Sequence, residues 1–98
     1  MKPEAQLKIL RLRIDQCDHL ILKTLHARFK IAKQIGKLKS RLKFPIIQED
    51  RWMEVLKDRL KIAKKLKLSE PFVLKLLKLI HKESIHLQAP SSVNRKRS

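Results

Sequence analysis

The run LKILRLRIDQCDHLILKTLHARFKIAKQIGKLKSRL, Leu7 to Leu42, decides how the rest of this chain must fold. It contains no proline, and its one glycine, Gly36, falls near the end. Apolar residues recur at Leu7, Leu10, Ile14, Cys17, Ile21, Ile31, Ile35, Leu38 and Leu42, the three-then-four spacing of one helix face. Thr24 and Arg28 interrupt the series. A helix of this extent is about 50 Å long at ~1.5 Å per residue. A compact chain of about 100 residues has a radius of gyration near 13 Å, far too small to wrap such a rod. One molecule therefore cannot bury the whole stripe, which predicts an intertwined helical homodimer.

Outside that run the composition is equally one-sided. One glycine and four prolines in 98 residues leave little turn chemistry, and β-branched runs are scarce, so the fold class is all-α. The 43% hydrophobic content supports a single small core that gains from dimerisation. Cys17 is the only cysteine, which excludes an internal disulfide, and its place on the stripe predicts a small core residue. No apolar run approaches a membrane span and no signal-type segment opens the chain, so a soluble cytoplasmic protein is expected. The formal charge of +16 admits nucleic-acid binding. Against it, the lysines are scattered along the helices and there is no tyrosine to build a stacking platform. Lysine-rich solvated faces explain the charge more simply, and the same field would attract a small anion.

Reading in order, Met1 to Gln6 is a short lead-in in which Pro3 and Glu4 suit a helix start. Pro45 ends the first helix by disfavouring helical geometry at the residue before it. Glu49 and Asp50 mark the positive end of a second helix, which runs to about Lys65 with Trp52, Val55, Leu56, Leu60 and Ala63 inward. Ser69, Glu70 and Pro71 open a third, with Val73, Leu76, Leu77 and Ile80 on one face and an end near Gln88 or Ala89. Three helices thus form one domain over 1–90, and 91–98 reads as a basic disordered tail.

Several polar residues stand where the apolar pattern should continue. Arg28 and Lys39 are three turns apart and nearly in line, both on or beside the stripe, while Arg11 points roughly a quarter-turn away, toward a second pocket such as a partner's. On the third helix, Val73, Leu77 and Ile80 lead into Ser84 and Gln88, and Arg51 occupies the first turn of the second. Singly, each has a plain explanation: a core ion pair, or the surface returning. Together they gather cations with few carboxylates, which makes sense if the counter-charge is a ligand bearing two carboxylates. His19, His26, His81 and His86 show no metal-ligand spacing, and there is no phosphate loop or nucleophilic triad. No metal, cofactor or covalent catalysis is expected.

In order and spacing these residues resemble the all-helical class of chorismate mutase. The signals are Leu10-Arg11-Leu12-Arg13-Ile14-Asp15, Arg28, Ile35-Gly36-Lys37-Leu38-Lys39, Pro45-Ile46, Asp50-Arg51 and Glu83-Ser84-Ile85-His86-Leu87-Gln88. The resemblance implies three helices per chain interlocked with a second chain, and two sites per dimer. It also implies that Arg28 holds one carboxylate of chorismate and that Arg11 of the partner holds the other. Lys39 and Gln88 would be the catalytic contacts to the ether oxygen, with Arg51 and Ser84 completing the substrate contacts. The reaction implied is the Claisen rearrangement of chorismate to prephenate in aromatic amino-acid biosynthesis, with neither acid, base nor nucleophile.

The chain departs from the family at the start of the second helix. The usual run is Asp-x-x-Arg-Glu; here it is Gln48-Glu49-Asp50-Arg51-Trp52. Gln48, Arg51 and Trp52 therefore stand at substrate-binding positions, but Trp52 cannot accept a hydrogen bond from the substrate's ring hydroxyl as the glutamate does. An isochorismate-pyruvate lyase could dispense with that contact, although Ser84 favours the mutase because the lyase carries a bulky aromatic there. A catalytically weak relative, or a basic helical nucleic-acid-binding protein, is the further alternative.

Overall fold

The computed structural model describes residues 1–89. Among them are three helices and no strand: α1 spans Pro3–Leu42, α2 Glu49–Lys65 and α3 Glu70–Gln88. The basic tail expected over 91–98, together with Pro90, lies outside the described residues.

Helix α1 begins at Pro3, ahead of the apolar series that starts at Leu7. A proline in the first turn sacrifices only an amide that has no intrahelical acceptor, and Glu4 complements the positive end of the helix dipole. Its end is not set by Pro45 alone. Lys43 takes a left-handed φ of 58°, the Phe44 amide donates to the Lys39 carbonyl at 2.8 Å, and the Lys43 amide donates to Ser40 at 3.3 Å. That pair of bonds is the Schellman motif, which satisfies carbonyls otherwise orphaned at a helix end. Helix α2 closes identically, with Lys67 at φ 58°, Leu68 donating to Ala63 at 2.9 Å and Lys67 to Lys64 at 3.1 Å.

Gln48 precedes α2 in extended geometry without a side-chain cap, so Glu49 and Asp50 carry the N-terminal electrostatics there. Ser69 caps α3, its Oγ accepting from the Phe72 amide at 3.4 Å, with Pro71 in the first turn.

The chain divides into two compact units, Met1–Lys30 and the part from Ile31 onward. In the first, every residue from Met1 to Thr24 is exposed, including Leu7, Leu10, Ile14 and Ile21 on the stripe. Cys17 is exposed as well, contrary to its reading as a core residue: the stripe it belongs to is uncovered within one chain. Leu25 and Phe29 are half-buried.

The second unit holds the core. Helices α2 and α3 pack together, burying Val55, Ala63 and Val73, while Ala32 is the buried apolar residue of α1. Trp52, Leu56, Leu60, Leu77 and Ile80 are half-buried as their spacing predicts, but Leu76 is 40% exposed, at the margin of the face assigned to it. No large side chain among the described residues is fully buried. Gly36 allows α1 to meet α3 backbone to backbone. A Cβ at this position would lie 2.6 Å from the Gln88 Cα and 2.8 Å from its carbonyl oxygen.

Candidate active site

The close approach at Gly36 brings the next turn of α1 onto the end of α3. There the Lys39 ammonium donates to the Gln88 Oε1 at 2.8 Å and to the Ile46 carbonyl at 2.7 Å. Both acceptors are neutral, so nothing in this pair of bonds cancels the charge. Burial accordingly pushes the Lys39 pKa below the ordinary lysine range, because a half-buried ammonium loses solvation. With Oε1 engaged by Lys39, the amide nitrogen of Gln88 is left to donate elsewhere. A cation and an amide donor are thus tied together at fixed positions.

Ser84 lies one turn before Gln88 and is buried, as expected of a residue on the inward face. Arg51 occupies the first turn of α2 but does not stand apart from carboxylates. Its guanidinium donates to Glu54 Oε1 at 2.6 Å, both groups being largely exposed. The expected gathering of cations with few carboxylates is therefore tempered at Arg51 by a solvent-screened pair. Gln48 is exposed at the head of α2. Trp52 is half-buried, and its indole lies on the His81 imidazole with ring centroids 3.8 Å apart and 11° between the planes. Arg11 and Arg28 belong to the Met1–Lys30 unit, where both are exposed on α1.

The structure therefore joins Lys39 directly to Gln88. It also links Trp52 to α3 through a residue that the sequence reading considered only as a metal ligand. The signal that could have found His81 is its spacing: His81, Ser84 and Gln88 stand at i, i+3 and i+7. Among the described residues no three His, Cys, Asp or Glu side chains cluster as a metal site, and no helix is long and apolar enough to cross a membrane.

A cavity of about 960 Å³ opens beside this pair, lined by Gln88 and Gly36 with Lys33, Lys37, Arg41 and Phe44 among its walls. Gln88 lines it, whereas Lys39, Arg51, Trp52 and Ser84 do not. Its three cations lie four residues apart along α1 and give that flank a positive field over an apolar floor.

Among the described residues the fold is all-helical and sets a partly desolvated lysine against a glutamine amide, with a cation-lined cavity beside that glutamine. The chorismate mutase type II family model matches residues 10–89, and the chain belongs to that family. It is 41% identical over 59 residues to the bifunctional chorismate mutase/prephenate dehydratase of Aquifex aeolicus (strain VF5). The matched part is 60% of this chain and 16% of that relative.

Proposed function

We propose that this domain rearranges chorismate to prephenate, serving aromatic amino-acid biosynthesis as a cytoplasmic homodimer. The observation that carries the reading is the Lys39–Gln88 bond at 2.8 Å. In the rearrangement the ether C–O bond breaks as a new C–C bond forms, and no proton changes hands. The site must hold the compact diaxial conformer and stabilise negative charge growing on the ether oxygen. Lys39 and the free amide N–H of Gln88 are the donors for that oxygen. Arg28 holds one carboxylate, Arg11 of the partner holds the other, and Arg51, Gln48, Trp52 and Ser84 complete the substrate contacts. The exposed apolar stripe of the first unit supports the dimer that the role of Arg11 requires.

A second reading draws on Trp52, whose indole offers no acceptor to the chorismate ring hydroxyl: a lyase acting on isochorismate. Incubating the purified protein with chorismate and, separately, with isochorismate tests both. Prephenate from chorismate supports the mutase; salicylate and pyruvate from isochorismate alone would replace it with the lyase.

A further inference from the structure

The two residues that accept hydrogen bonds from Lys39 both border a cavity that Lys39 itself does not line. They are Ile46, whose carbonyl accepts at 2.7 Å, and Gln88, whose Oε1 accepts at 2.8 Å. The cavity, about 960 Å³, falls within the roughly 300–1,000 Å³ of small-molecule pockets. Along α1 its wall carries Lys33, Lys37 and Arg41, one turn apart and all exposed, so the outer two stand about 12 Å apart along the axis. No Asp or Glu lines it, and among the described residues none of these three cations is in an ion pair. Complementing the negative end of the helix dipole accounts for Arg41 in the last turn, but not for Lys33 two turns earlier. Phe44, Ile46 and Leu87 add apolar surface.

We propose that this cavity is a second anion site, an effector site for an elongated organic anion with acidic groups at both ends of an apolar body. The binding claim stands on the cavity alone, whereas its effect on turnover rests on the mutase reading given above. Two acidic groups separated by a ring system can each meet a cation on α1 while the ring covers the apolar wall. A bare inorganic anion leaves that wall in water. Gly36 lines the cavity too, where α1 meets the Gln88 backbone, so an occupant bears on the packing that places Gln88. It reaches Lys39 only through the two groups that hold the ammonium. Two dianions held beside the same glutamine repel, so effector and substrate weaken each other by one common factor. The result is partial inhibition, not exclusion.

Naphthalene-2,6-disulfonate is the probe, titrated calorimetrically into the whole chain. One probe per chain should bind, about tenfold or more tighter than sulfate because of its buried ring. A bicyclic dicarboxylate mimic of the rearrangement transition state, at saturation, should weaken the probe only severalfold. With chorismate as substrate, the probe should raise KM to a plateau, where a competitor would raise it without limit. Lys33→Gln combined with Arg41→Gln removes two exposed charge contacts and should weaken the probe about tenfold while basal turnover and helical circular dichroism hold. The nitrogen resonance of the Lys39 ammonium should move as probe fills the unaltered chain. Loss of probe binding in the presence of the mimic would place the probe in the chorismate site and overturn the proposal. Equal probe affinity in the unaltered and doubly substituted chains, or affinity no better than that of sulfate, would overturn it as well. Binding that leaves the Lys39 resonance unmoved would sink the effector role. If the probe binds as expected but chorismate is not turned over, the mutase reading falls and the site stands; turnover without probe binding does the reverse.

Discussion

Gly36 and Lys39 are three residues apart on α1, and both act on Gln88. Alanine at Gly36 would gain about 1 kcal/mol of helix propensity, but its methyl would meet Gln88 backbone atoms at 2.6 and 2.8 Å. Overpacking against unyielding backbone costs about 1–3 kcal/mol, so the clash wins. We expect Gly36→Ala to lower the urea midpoint and to cut turnover more than stability, because the retreat of α3 takes the Gln88 amide with it. Lys39→Ala and Gln88→Ala should each lower kcat by about 10²–10³ while leaving the helical circular dichroism unchanged, since the proposed mechanism makes each a transition-state donor. Near-normal turnover in either variant would displace that residue from the chemistry. Desolvation depresses the Lys39 pKa, and this has two consequences of definite sign. The proposed mechanism uses the ammonium, so kcat/KM should fall as pH rises through a value below the ordinary lysine range. Stability runs the other way: the folded chain releases this proton more readily than the unfolded one, so stability should rise with pH between the two pKa values. A bound dianion should push the limb in kcat above that in kcat/KM. The candidacy of Gln88 was legible in sequence because it puts a polar group where an apolar period should continue, and that of Lys39 because it lies nearly in line with Arg28. Their bond was not, nor was the stacking of Trp52 on His81, since both depend on the register between separate helices.

At the scale of the element, the two Schellman closures run against residue preference. Each places a lysine in the left-handed region, where a Cβ is penalised and glycine is not. Lys67→Gly should therefore stabilise the fold by roughly 0.5–1 kcal/mol in denaturant titration, with the entropy of the unfolded glycine already offset. No gain would mean that the lysine side chain contributes there as much as its backbone costs. Helix α2 and the Ser69 start of α3 could be read from their acidic, serine and proline signals, which act within a single turn. The left-handed closures could not, because their usual marker is glycine and the chain uses lysine instead. Leu76 was misassigned for a related reason: a helical period locates a face, but the width of the packed stripe is set by the neighbouring helix.

On the scale of the whole molecule, the balance of charge and exposed apolar surface makes assembly the deciding property. The described chain buries four apolar residues below a tenth of their area while leaving Leu7, Leu10, Ile14 and Ile21 about half exposed. Burying one such side chain contributes about 1.5–3 kcal/mol, so a partner along α1 would outweigh repulsion that salt already screens. Light scattering at micromolar concentration should give about twice 11.6 kDa, and a stable folded monomer there would remove the role given to Arg11 of a partner. Tight, steeply salt-dependent binding of duplex DNA or RNA would instead support the nucleic-acid alternative suggested by the +16 charge. Cys17 turns this question into chemistry. It is the one thiol in the chain, it is exposed, and it sits on the stripe a partner would cover. An alkylating dye should then react with it at a rate proportional to the fraction of uncovered chains. Slower labelling at higher protein concentration would trace the dissociation constant, with a built-in chemical clock in place of any separation of the species.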